Sequence, residues 1–344
     1  MQETTPPLVG QTIGEYQILK LLKKTDLGFV YQARQPSQDR LVALRLLPPH
    51  LSRGGMAARL AQEVDIAARL EHPHILGADA YGEYEGMAYV VMPYIEGGTL
   101  QERLRATPPP SRKWALARLL EICDALAYAH SQGVVHRDVK PSNILLRDEH
   151  WALLSDFGIS RSMEGAGLTA VGAVLGTPEY MAPEQGQGLT VDHRADVYAV
   201  GIVMYRILAG ELPFRGKSAV QVMMQHLQSP VPTLPASDDG SSDAWNGALA
   251  RALAKTPDAR YQSVEELRQA IRDAMAQDPS LDAEPVAPAT PAAAPTGAVT
   301  SEGSSASTAS QPVAVAGPSQ SGANGALAQP SLLRRLFGWL PFVR

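Results

Sequence analysis

One run of the sequence, His136-Arg137-Asp138-Val139-Lys140-Pro141-Ser142-Asn143, sets a carboxylate, an ammonium and a carboxamide close together, and thirteen residues after Asn143 a second carboxylate opens Asp156-Phe157-Gly158. Hard oxygens such as those of Asn143 and Asp156 suit a small divalent cation, and a carboxylate beside an ammonium can take a proton next to developing negative charge. Singly these residues say little, because an aspartate such as Asp138 is ordinarily a turn residue and Asn143 ordinarily a cap. Their order and spacing say more, with Gly176-Thr177-Pro178-Glu179-Tyr180 and Ala182-Pro183-Glu184 following downstream.

On these motifs the sequence, from about residue 16 to 275, resembles the bacterial-type (Hanks-type) serine/threonine protein kinases. The resemblance implies an α+β, bilobal fold with a β-rich lobe over about 16–93 and a helical lobe over about 97–275. It also implies ATP with Mg2+ or Mn2+ between the lobes, and protein Ser/Thr hydroxyls as acceptors. On it, Asp138 orients the hydroxyl and accepts its proton, Lys140 supports the γ-phosphate, and Asn143 and Asp156 are the metal ligands. Thr177 contacts the catalytic loop, and Lys140 with Thr177 marks the Ser/Thr rather than the Tyr branch. In Val91-Met92-Pro93-Tyr94-Ile95 the Pro93 carbonyl accepts from the adenine amino group and the Ile95 N–H donates, while Val30, Ala43 and Leu145 sandwich the ring. His136 is implied as a packing residue, Glu184 as the partner of Arg260, and Asp196 as the acceptor for the catalytic-loop backbone. Arg137 would pair with phosphate in the activation segment, with Thr169 the first candidate site and Ser160 and Ser162 next.

The first lobe departs from the pattern. The phosphate-covering Gly-x-Gly-x-x-Gly-x-Val aligns with Lys23, Thr25, Gly28 and Val30, and Val-Ala-Ile-Lys appears as Val42-Ala43-Leu44-Arg45, with Glu63 at the position of the pairing carboxylate. A planar, forked guanidinium does not place a point charge on phosphates as an ammonium does. Three readings follow: Arg45 supports transfer; Lys23 or Lys24 reaches the phosphates instead; or the domain is a nucleotide-binding pseudokinase acting as a signalling scaffold. Retention of Asp138, Lys140, Asn143 and Asp156 together favours an enzyme.

These residues need elements to hold them. Apolar patterning predicts strands over 16–22, 29–33 and 41–46, and helices over 57–70, 114–130 and 195–208. Leu116, Leu119, Cys123 and Leu126 share one face of the second helix, which makes Cys123 core rather than a reactive thiol. His72-Pro73-His74 reads as the loop after the first helix, not as a metal site.

Composition bounds the rest. The 344 residues are 45% hydrophobic with a formal charge of −5, and the pI near 5.9 offers no basic field for nucleic acid. A single cysteine excludes internal disulfides and multi-cysteine metal sites and suits a reducing, cytoplasmic setting. The first ten residues show no targeting signal, and no run is apolar enough to span a bilayer. Residues 281–330 contain no Lys, Arg or aromatic residue, so a disordered linker is expected over 277–330. Residues 331–344 end the chain with Leu332, Leu333, Leu336, Phe337, Trp339 and Leu340 on one helical face and Arg334 and Arg335 opposite. Such a segment suits an anionic membrane surface, a groove on a partner, or the kinase domain itself.

Overall fold

Along Arg40–Leu46, the buried Val42, Leu44 and Leu46 alternate with Ala43 and Arg45, and this period of two divides them between the faces of a sheet. The computed structural model describes residues 8–25, 28–47, 69–157, 178–236 and 241–282. Its first lobe is an antiparallel sheet of β1 (Thr12–Ile13), β2 (Tyr16–Thr25), β3 (Gly28–Gln35), β4 (Arg40–Leu46), β5 (Ala80–Tyr84) and β6 (Met87–Pro93), in the order β1-β2-β3-β4-β6-β5. One face carries Tyr31, Ala33, Val42, Leu44 and Val91, with Phe29 packed against them. The other carries Ala43, Val90 and Met92, with Val30 packed against them.

The second lobe is helical: α1 (Leu100–Arg105), α2 (Arg112–Ser131), α3 (Arg194–Ala209), α4 (Ala219–Gln228), α5 (Ser241–Ala252) and α6 (Val264–Ala276), with a hairpin of β7 (Ile144–Asp148) and β8 (Trp151–Leu154). Local chemistry fixes the helix starts. Ser111 accepts from the Trp114 N–H at 3.2 Å to begin α2, and Thr99 and Glu102 form a reciprocal capping box on α1. The core centres on α3, a helix buried on nearly every side, as its all-round apolar sequence requires. Gly210, at φ 76°, ends it in the left-handed region where a side chain would be strained.

The elements expected over 114–130 and 195–208 are α2 and α3. The strand expected over 16–22 continues to Thr25, because Lys24 and Thr25 still pair with Phe29 and Gly28. The helix expected over 57–70 falls almost wholly outside the described residues. Past 277, where a linker is expected to begin, the chain is described as far as residue 282. Pro279–Asp282 forms a short 3-10 turn, and Leu281 is buried in the helical core. Asp278 accepts from Trp245 Nε1 at 2.8 Å, and Asp282 pairs with Lys113. One leucine with two anchoring acids keeps this stretch packed where its composition already reads as linker. The remainder of the linker and the 331–344 segment lie outside the described residues. Among the described residues, no helix is long and apolar enough to cross a membrane.

Candidate active site

The loop bearing Asp138 is held from the core. Asp196, in the first turn of α3 and fully buried, accepts from the His136 N–H at 2.8 Å and the Arg137 N–H at 2.7 Å, and His130 Nε2 lies 2.8 Å from the same carboxylate. Burial pushes the Asp196 carboxyl up, but the His130 contact and the backbone donor outweigh it and hold the group below the usual carboxylate range. These anchors sustain Arg137 at φ 67°, a conformation an arginine adopts only where its surroundings impose it. Gln185 Nε2 adds a bond to the Arg137 carbonyl at 2.9 Å.

His136 has no room for proton transfer with a substrate. It is fully buried, Asp138 N donates to its Nδ1 at 3.2 Å, and its Nε2 meets the Ser155 carbonyl at 2.8 Å. Only the tautomer with hydrogen on Nε2 satisfies both bonds. Its ring stands edge-on to Phe157 with centroids 4.6 Å apart, which is the packing role expected of it.

Asp138, Lys140 and Asn143 close on one another. Lys140 Nζ lies 2.7 Å from Asp138 Oδ2, and Asn143 Nδ2 donates to both Oδ2 and the backbone carbonyl of Asp138 at 2.9 Å. The 3-10 turn Pro141–Asn143 sets this spacing, and the Ser155 N–H and Oγ fix the Asn143 carbonyl at 2.9 and 3.1 Å. Because Asn143 directs its amide nitrogen at Asp138, its side-chain oxygen is turned away from that pair.

Asp156, at φ 71°, faces the sheet. Its Oδ2 accepts from Arg45 Nη2 at 2.9 Å, with both side chains nine-tenths buried, whereas its Oδ1 is buried and finds no partner among the described residues. Burial raises the Asp156 carboxyl, and the charge and hydrogen bond of Arg45, with a smaller contribution from Lys23, overcome that and lower it. The group is therefore ionised at neutral pH. Among the described residues no three His, Cys, Asp or Glu cluster into a metal cage. The Asp156 oxygen without a described partner and the Asn143 oxygen would offer two hard donors, a set that fits a cation whose remaining positions are filled by phosphate and water.

The residues expected around the adenine fall in two groups. Val30 and Ala43 share the inner face of the sheet, Pro93 closes β6 opposite Val42, and Ile95 follows it, half-buried. Leu145 comes from the other lobe, on β7, half-buried between the buried Ile144 and Leu146. Glu63 and Thr177 lie outside the described residues, as do Ser160, Ser162 and Thr169. Gly28 is present with a different constraint from the one its motif suggests. At φ 110°, a Cβ there would stand 2.0 Å from the Leu46 carbonyl oxygen, so its glycine character is required by the close approach of β3 to the end of β4.

One pairing lies outside the cleft. Arg260 binds Glu184 in a two-pronged bridge at 2.7 Å on each arm, and its remaining donors reach the carbonyls of Ala254, Arg194 and Lys255, so this buried pair is fully satisfied. Cys123 is buried, which pushes its thiol up to about 12 and makes it an inert core residue. The Arg45–Asp156 bridge is the contact that sequence reasoning missed. Its partners are 111 residues apart, and the motif at Arg45 points to Glu63.

A sheet lobe facing a helical lobe, with a carboxylate, a lysine and two oxygen ligands at the seam, defines a nucleotide-dependent phosphotransferase fold. The chain belongs to the protein kinase domain family, which matches residues 16–278. It is 40% identical over 274 residues to serine/threonine-protein kinase PknJ of Mycobacterium tuberculosis, covering 77% of this chain and 46% of PknJ. It is 39% identical over 271 residues to PknD of the same species, covering 78% and 41%. With PrkC of Bacillus subtilis it shares 34% over 273 residues, covering 79% and 42%. The chain thus spans less than half the length of these curated relatives. Membership implies ATP and a divalent cation in general.

Proposed function

We propose that this chain transfers the γ-phosphoryl group of ATP to Ser or Thr hydroxyls of proteins, with Mg2+ or Mn2+ as the cation. The observation that carries this reading is the closed set of Asp138, Lys140 and Asn143 beside an Asp156 whose Oδ1 has no described partner. Lys140 and Asn143 both hold Asp138 Oδ2, so the carboxylate is fixed in orientation and Oδ1 is the atom that accepts the hydroxyl proton. Lys140 balances charge on the transferring group, and Asn143 and Asp156 would hold the cation, which would neutralise charge on the nucleotide phosphates. Val30, Ala43 and Leu145 enclose the adenine, with the Pro93 carbonyl and Ile95 N–H on its edge, while Thr177 and Glu63 take their family roles at the catalytic loop and at Arg45.

The test is a radiolabelled transfer assay on the full chain beside Asp138→Asn. Label on the chain itself or on a generic basic protein, lost in the variant, is the expected result. Signal unchanged by the substitution would come from a contaminant. Absence of label with either metal would leave a nucleotide-binding scaffold without transfer. The buried lone cysteine supports a cytoplasmic setting, and the composition of 331–344 supports a reversible contact with an anionic membrane or a protein groove.

A further inference from the structure

Residues in lateral register across an antiparallel sheet project from the same face. Lys23 lies opposite Val30, Val30 opposite Arg45, and Arg45 opposite Val90. This row crosses β2, β3, β4 and β6 on the inner face, where Val90 and Val30 pack together and Arg45 reaches across to Asp156. The next lysine has the other orientation. Lys24 is opposite Phe29, which packs with the outer cluster, and its ammonium lies 5.6 Å from the Phe29 ring centroid. Of the two adjacent lysines, therefore, only Lys23 shares a face with Arg45. Two inter-strand spacings, about 10 Å in all, separate their backbones, so Lys23 stands toward the edge of the sheet beyond Val30.

The electrostatics agree with this placement. Burial pushes the Lys23 ammonium down from its ordinary value, the Asp156 and Asp138 carboxylates pull it back, and Lys140 and Arg45 oppose them. Lys23 thus sits where the charges of all four cleft groups act on it. The phosphate chain of a nucleotide needs positive charge along its length, and here the arginine at the strand position commits one arm of its guanidinium to Asp156. Positions 23 and 25 also lack the glycines that would bring backbone amides close.

We propose that Lys23 is a phosphate-binding residue, a second cation that together with Arg45 replaces the single strand lysine and part of the glycine-rich loop. The inference rests on the ATP site of the preceding section. Its test is calorimetric binding to the full-length chain of two probes, a non-hydrolysable ATP analogue with Mg2+ and adenosine. Lys23→Ala is expected to weaken the analogue about tenfold or more and to leave adenosine within about twofold, while Lys24→Ala moves neither and Lys23→Arg restores most of the loss. Lys23 is exposed as a residue while its ammonium end is the part the cleft desolvates, and truncation at such a position leaves the fold intact. Unchanged analogue affinity in Lys23→Ala, an equal loss in Lys24→Ala, or a parallel loss for adenosine would each overturn the inference alone. A wild-type chain that binds neither probe would overturn the ATP site and this inference with it.

Discussion

Arg45 Nη2 donates to Asp156 Oδ2 at 2.9 Å, tying the central strand of the sheet to the carboxylate at the mouth of the helical lobe. A buried carboxylate left without its cation is costly, so Arg45→Met is expected to destabilise the domain by about 3–5 kcal/mol and to raise the Asp156 pKa. Arg45→Lys keeps the charge but gives up the fork, freeing the ammonium to approach phosphate; it is expected to raise nucleotide affinity or turnover several-fold with little loss of stability. Denaturant titrations and nucleotide binding on the three proteins check both. A fall in affinity for Arg45→Lys would mean that the pocket is shaped around arginine.

Gly28 separates a structural from a phosphate-binding role. With its Cβ position 2.0 Å from the Leu46 oxygen and φ at 110°, Gly28→Ala is expected to lower stability by at least about 1–3 kcal/mol even without nucleotide. A thermal melt of the nucleotide-free chain decides it. An unchanged midpoint paired with weaker nucleotide binding would return Gly28 to a loop role alone.

His226, on α4, is fully buried with its Nδ1 2.8 Å from the Tyr198 hydroxyl, and burial, helped by the Lys255 charge, pushes it down to about 4. The unfolded chain binds a proton here at a higher pH than the folded one, so stability falls as pH drops from about 6.5 toward 4 and levels off below. At pH 5 the loss from this residue is about 2 kcal/mol. Urea midpoints at pH 7 and pH 5 should therefore separate more widely for the wild type than for His226→Gln. Equal separations would show that His226 does not govern acid sensitivity.

The segment at 331–344 is tested by vesicle co-sedimentation of the full chain against a version ending at Pro330. Its apolar face, at roughly 1.5–3 kcal/mol per buried large side chain before ordering costs, and its three arginines, at about 1 kcal/mol each, make reversible binding to anionic vesicles the expected outcome. Equal sedimentation of the two would leave a protein groove or the kinase domain as its partner.

The parts of the site that were legible in the sequence are those whose geometry is local or fixed by motif. Asp138, Lys140 and Asn143 lie within five positions of one another, and one turn brings them together. Glu184 with Arg260 and Asp196 with the catalytic loop were legible through resemblance, because their distances along the chain carry no signal of their own. Arg45 with Asp156 was not, since that contact depends on how the sheet meets the helical lobe. Nor could the faces of Lys23 and Lys24 be assigned while the strand was read as ending at 22. The run Lys20-Leu21-Leu22-Lys23-Lys24 loses its alternation, and β2 carries two register shifts that only the pairing with β3 reveals. The packed turn at 279–282 was hidden for a related reason, as its single buried leucine sits in a composition otherwise typical of unfolded chain.

The carboxylate of Asp196 gives the loop around Asp138 a kinetic character unlike that of most ligand-binding loops, which open cheaply and often. The His136 and Arg137 amides donate to a group rooted in a helix buried on nearly every side, so their bonds break only when that helix leaves the core. In a deuterium-exchange experiment these two amides should rank with the slowest of α3, while amides along β5 at the sheet edge exchange far earlier. A nucleotide arriving at the cleft would then find the proton acceptor already set, and any ordering on binding would fall to the sheet lobe.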